Sequence, residues 1–216
     1  MIRVDEALQI ILDTVTPLPL EKVNLLEALG RVIGEDVIAP RNLPPKNNSA
    51  MDGYAVRAGD TKGAAIGNPV VLTVIEDIPA GIVPQKALSA GEAARIMTGA
   101  PLPDGADAVV RMEDTRKEGQ HVQILAEAAP GLDIRLAGED VGAGETVIRC
   151  GAVIRPAEVG MLAALGRSFV SVYQRPTVAI LATGDELVDI DEPPSDWKII
   201  SSNSYATAAQ VLESGA

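Results

Sequence analysis

Apolar residues recur at Val4, Ala7, Leu8, Ile11 and Val15, with Asp5, Glu6, Gln9 and Asp13 on the other faces; this spacing predicts an amphipathic helix over residues 3–15. Pro17 and Pro19 stop it. A short helical piece over 25–29 leads to Gly30 as a C-terminal cap, and residues 32–38 have β-rich chemistry before a breaker region running from Pro40 to Pro45. From about 46 to 134 the pattern shortens. Strands are expected at 70–75, 94–97, 108–112 and 121–125, separated by Gly- and Pro-bearing turns, which together make a small β domain.

Residues 143–154 read as strand pieces around a turn at Cys150-Gly151. Pro156 then opens a helix that Gly166 closes, and 168–173 alternates like a half-buried strand. Arg175-Pro176 marks a second boundary. The run 177–182 is continuously apolar, the pattern of a strand buried on both faces of a parallel sheet. Ser202 or Asn203 is expected to cap a following helix through Ala206, Ala209 and Leu212, completing a strand–loop–helix unit. One such unit cannot cover both faces of its strand, so the chain is expected to be a truncated form of a larger protein.

Composition narrows the functional classes. With 47% hydrophobic but only 2% aromatic residues, the core must be built from Val, Ile, Leu, Ala and Met, and the chain offers no aromatic platform for stacking bases. A net charge of −12 opposes nucleic acid and anionic membrane as partners. One cysteine and one histidine supply neither an internal disulfide nor a typical zinc ligand set, and serine–histidine catalysis is poorly supported. The amino terminus has acids where a signal peptide needs basic and then apolar residues, which points to the cytoplasm.

Five segments carry candidate chemistry. In Asn47-Asn48-Ser49-Ala50-Met51-Asp52-Gly53 an acid stands among turn-forming residues just before a β-type run, where Gly53 permits close backbone approach and Ser49 can orient the loop or donate to an anion. A solvated turn acid is the plainer reading. Thr98 and Gly99 follow an apolar strand and could line a strand-end pocket, or form an ordinary turn. Asp140, in Gly138-Glu139-Asp140-Val141-Gly142, could face an interdomain cleft, although acids between glycines are commonly solvated. Thr183-Gly184-Asp185-Glu186-Leu187 follows the expected parallel strand, the place where open α/β sheets bind ligands; a soluble acidic loop is an equal alternative. Ser202 and Asn203 could cap a helix or present hydroxyls and amides to an anion.

The segments Asn48-Ser49-Ala50-Met51-Asp52-Gly53-Tyr54-Ala55-Val56, Arg95-Ile96-Met97-Thr98-Gly99-Ala100, Gly138-Glu139-Asp140 and Thr183-Gly184-Asp185-Glu186-Leu187 resemble, in this order, the motifs of the MoeA-like molybdopterin molybdenumtransferases, the family that includes the E domain of gephyrin. The resemblance implies an α+β, β-rich fold: an elongated first domain (1–46 and 135–175), an inserted β-rich domain (47–134) and the start of an α/β molybdopterin-binding domain (176–216). It implies a homodimeric enzyme that inserts molybdenum from molybdate into adenylated molybdopterin, with Mg²⁺, releasing AMP. Asp52, Thr98, Asp140 and Glu186 match positions of that catalytic site. Asp52 and Glu186 are the implied metal ligands; Ser49, Gly99, Thr183, Gly184, Asp185, Ser202 and Asn203 are the implied cofactor contacts. One departure stands out, because Ser201 occupies a position where the family often carries an acid. A noncatalytic dimeric scaffold of the gephyrin type is the alternative.

Overall fold

The computed structural model describes residues 2–193 and 195–216. It is mixed α and β with mostly short strands and, among the described residues, three α-helices: Val4–Thr14, Pro156–Ala164 and Ser202–Glu213. The chain divides into two compact units, one built from residues up to Val37 together with Thr146–Ala216, the other from Ile38–Glu145.

The unit Ile38–Glu145 is organised by a six-stranded sheet. The strand Gly53–Val56, next to the edge strand Ala108–Arg111, is buried along its length and runs antiparallel to both Ala108–Arg111 and Glu92–Ile96. Glu92–Ile96 pairs parallel with Val70–Ile78, which residues 79–91 make possible by crossing from one end of the sheet to the other. His121–Ile124 and Thr115–Glu118 extend the sheet as an antiparallel hairpin. Period-two alternation explains why both faces are covered: Tyr54, Val56, Ala93, Val110 and Val122 pack into one cluster, while Ala55, Ala94, Ile96 and Val109 pack into another. At about 25 cal/mol per Å² of apolar surface removed from water, these two clusters are the main source of this unit's stability.

In the other unit, Leu20–Asn24 pairs antiparallel with Phe169–Tyr173. The helix Pro156–Ala164 packs on the 3₁₀ turn Leu25–Ala28, burying Ala28, Leu162 and Leu165. Pro156 stands in its first turn, and Gly166, at φ +76°, turns the chain out of it as the Pro and Gly spacing predicted. The helix Val4–Thr14 has the expected bounds but buries no residue, so its apolar face, with Val4, Leu8 and Ile11, is exposed. Between 32 and 38 the expected strand is reduced to isolated bridges at Val32 and Ile33 and the pair Val37–Ile38.

The expected strand over 177–182 is not formed, and Leu181 is 87% exposed. A parallel strand needs neighbours to take its backbone groups, and among the described residues none pairs with this run. The parallel pairing in this unit falls instead on Leu187–Val188 with Ile199–Ile200. Among the described residues, no helix is long and apolar enough to cross a membrane.

Candidate functional site

The loop ahead of Gly53 is fixed from three sides. Ser49 donates its amide to the Ala100 carbonyl and accepts the Gly99 amide on its own carbonyl (2.8 Å), while Asn48–Ser49 pairs antiparallel with Ile134–Arg135. Ala50 donates to the Asp133 carbonyl (2.9 Å), and Met112 donates to the Asp52 carbonyl (3.0 Å). Gly53 is required by space, because a Cβ there would stand 2.0 Å from the Val110 carbonyl oxygen. These bonds leave the Asp52 side chain at the rim, where its Oδ1 accepts from both the amide and the hydroxyl of Thr98, each at 2.7 Å. The Thr98 amide, then its hydroxyl, and to a lesser extent the charge of Arg95 hold the Asp52 carboxyl below its ordinary range; slight desolvation opposes them. Asp52 is therefore an exposed acid, ionised at neutral pH, with one oxygen committed. Its Oδ2 has no hydrogen bond among the described residues.

The other members of this loop act inward. Thr98 spends both donors on Asp52, and Gly99, at φ +81°, spends its amide on Ser49, so these groups shape the loop. Ser49, expected among the ligand contacts, is fully buried and donates its hydroxyl to the Met51 carbonyl. Asp140 accepts from Arg135, which also lies 3.8 Å from Glu139. One arginine, a partner that sequence reading missed, thus offsets half the charge of the acid pair between glycines. Asp140 keeps its place because its amide donates to the Leu43 carbonyl and Gly138 takes φ +77°.

In the other unit, Leu187 donates to the Gly184 carbonyl and Lys198 to the Asp185 carbonyl, closing residues 183–187 into a turn. Gly184, at φ +153°, lies under the Glu186 carboxylate, and a Cβ there would meet Glu186 Oε1 at 2.7 Å. Helix Ser202–Glu213 begins one residue earlier than expected. Ser201, not Ser202 or Asn203, is its N-cap, and it makes no side-chain bond to the helix backbone. Its hydroxyl instead meets that of Ser204 at 2.7 Å. Thr183, Ser202, Asn203 and Thr207 line a cleft of about 320 Å³, open on the apolar side to Ile180 and Leu181. That volume is at the low end of small-molecule sites.

Among the described residues, no three His, Cys, Asp or Glu side chains stand close enough to share an ion. An all-protein metal cage is therefore not offered. Magnesium is commonly held by one or two carboxylates, with water and substrate phosphate filling the other positions, and Asp52 has the charge, exposure and free oxygen for that arrangement.

The chain is similar to known proteins over most of its length. The family model for the MoeA N-terminal region (domain I and II) matches residues 2–166. Molybdopterin molybdenumtransferase 2 of Mycobacterium tuberculosis (strain CDC 1551 / Oshkosh) is 48% identical over 194 residues, covering 90% of this chain and 48% of the relative. The molybdopterin molybdenumtransferase of Nostoc sp. is 44% identical over 196 residues, covering 91% and 45%. The chain spans about half the length of these curated relatives. The crystal structure of the molybdopterin biosynthesis moeA protein from Pyrococcus horikoshii OT3 superposes with a TM-score of 0.89 at 42% identity, covering 97% of this chain and 56% of that one. With a family model spanning most of its residues and this structural likeness across nearly its whole length, the chain belongs to the MoeA N-terminal region (domain I and II) family.

Proposed function

We propose that this chain serves molybdenum cofactor biosynthesis as part of a molybdopterin molybdenumtransferase, inserting molybdenum from molybdate into adenylated molybdopterin with release of AMP. The observation that carries this is the Asp52–Thr98 pair: a rigid loop presents an ionised carboxylate with one oxygen fixed and the other free. Such an acid binds a hard cation, and the cation lets an acidic protein meet an anionic phosphoanhydride. Mg²⁺ bound there would neutralise and polarise the phosphate. Asp52 is the candidate metal ligand of the unit Ile38–Glu145, and Glu186 is a candidate metal ligand in the other. Thr98 orients Asp52, Asp140 is a further site acid set by Arg135, and the cofactor contacts are Thr183, Ser202 and Asn203, which line the 320 Å³ cleft, with Gly184 and Asp185 in the turn that follows Thr183.

The same reading divides the chain into a first domain of 1–46 and 135–175, an inserted domain of 47–134 and a third beginning at 176. It places the protein in the cytoplasm as a homodimer without nucleic-acid or membrane partners. The exposed apolar face of Val4–Thr14 supports association, and it equally supports the second reading, a noncatalytic dimeric scaffold. AMP release separates the two. A chimera completed with the carboxyl-terminal half of the 48%-identical relative is expected to release AMP from adenylated molybdopterin when given molybdate and Mg²⁺. Asp52→Asn and Glu186→Gln are each expected to abolish that release without changing the oligomeric state. Full turnover in both variants would refute the site, and an inert chimera that still dimerises would favour the scaffold.

A further inference from the structure

Among the described residues, Asp133 is the one non-glycine residue with a left-handed backbone, at φ +52°. Its carboxylate receives a two-pronged ion pair from Arg111, Nε to Oδ2 at 2.7 Å and Nη2 to Oδ1 at 3.0 Å. The Asp133 side chain is only 10% exposed, whereas that of Arg111 is half exposed. Both residues belong to the backbone that grips the acid loop. Arg111 stands opposite Gly53 in the sheet, and the next residue, Met112, donates its amide to the Asp52 carbonyl. The Asp133 carbonyl receives the Ala50 amide. Residue 50 is thus tied to Asp133 itself, and residue 52 to Met112, the neighbour of Arg111.

We infer that the Arg111–Asp133 pair is a positioning device for Asp52, locking the sheet strand to the return turn so that the acid loop keeps one conformation. Neither side chain bonds to Asp52; both act through the main chain. The planar guanidinium is suited to this, because two parallel bonds fix orientation as well as distance, which a lysine ammonium does not do. Without the pair, the left-handed turn at 133 loses its anchor, the Ala50 bond loosens, and the Asp52 carboxylate drifts from the Thr98 amide. This role rests on Asp52 being the site acid, but it is tested without turnover.

The test is NMR on the folded chain. Asp133→Asn keeps a residue that tolerates the left-handed backbone while removing the charge. The double variant Arg111→Met with Asp133→Asn leaves no unpaired charge near the core and serves if the single variant is poorly folded. In each, the Asp52 carboxyl is expected to titrate closer to the ordinary carboxylate range, and the Thr98 amide to exchange on the order of tenfold faster, as loss of a charge-assisted hydrogen bond implies. The amides of Leu162 and Leu165, buried in the other unit, should keep their shifts. An unchanged Asp52 titration and Thr98 amide in a folded variant would overturn the inference. Mn²⁺ broadening of the Asp52 signal in the parent reports separately on the proposed metal, so one idea can fail while the other stands.

Discussion

Asp52 stays charged because one neighbour gives it two donors at once. A carboxyl held this way adds to stability only when ionised: its contribution is complete above the ordinary value of 3.8 and fades as pH falls through its lower folded value. Replacing Thr98 with Val keeps the amide donor and deletes the hydroxyl, so the Asp52 titration should move only part of the way back up. Carbon-detected NMR would show this, and no movement would mean that the hydroxyl bond contributes nothing. Gly53 poses a steric problem in place of an electrostatic one. A methyl group there meets the Val110 carbonyl of the neighbouring strand, which has no room to yield without breaking the pairing, and Gly53→Ala should cost about 1–3 kcal/mol, the range for overpacking, read from the urea midpoint. Thr61 is the third such case. Fully buried, it donates to the Ala58 carbonyl and accepts the Ala128 amide, and Thr61→Val would strand both groups at about 1–3 kcal/mol.

At the scale of elements, the helix Pro156–Ala164 shows what local sequence can specify. Pro156 sets its first turn, Glu158 accepts the Arg155 amide at 2.9 Å and takes the Arg155 guanidinium, and Gly166 ends it. Those bonds, the guanidinium first, pull the Glu158 carboxyl from 4.5 down to about 2. The cap should therefore be fully effective above pH 4.5 and lost as pH falls towards 2; in Glu158→Gln the helix amide shifts should no longer change across that window. Strands were equally legible at 70–75, 108–112 and 121–125, because short β-type runs there lie between Gly- and Pro-bearing turns. What escaped depended on partners far along the chain. Leu20–Asn24 is a strand only because Phe169–Tyr173 lies beside it, and Thr115–Glu118, with one residue half-covered and three exposed, carries little apolar signal. The run 177–182 shows the reverse case, a buried-strand pattern without a neighbour to pair with. The motifs located Asp52 and Thr98, but not that Thr98 serves Asp52, nor that Arg111, Asp133 and Arg135 hold the loops. Asp52 and Thr98 are 46 positions apart, Ala50 and its partner Asp133 farther still, and no local period encodes such links.

Over the whole molecule, burial is unevenly distributed, and this bears on how a ligand would act. The unit Ile38–Glu145 holds two aliphatic clusters, whereas among the described residues from 177 to 216 only Val188 is buried. Amides in Ser202–Glu213 should therefore exchange through local opening, roughly a hundredfold or more faster than those at 93–96 and 109–110. The cleft beside this helix is lined by Thr183, Ser202 and Asn203, so a ligand there binds the closed form and not the opened one. At a hundredfold excess over its dissociation constant it should slow exchange of the helix by about 2.7 kcal/mol, on the order of a hundredfold. The sign of the charge sets a further condition. A chain of net charge −12 repels adenylated molybdopterin, and K⁺ only screens that repulsion, whereas Mg²⁺ can bridge a carboxylate and a phosphate. Protection of Ser202–Glu213 by the adenylated pterin should accordingly be much stronger in Mg²⁺ than in K⁺ at equal ionic strength. Equal protection in the two salts would remove the reason for assigning a divalent ion to this protein, and protection confined to other segments would remove the cleft.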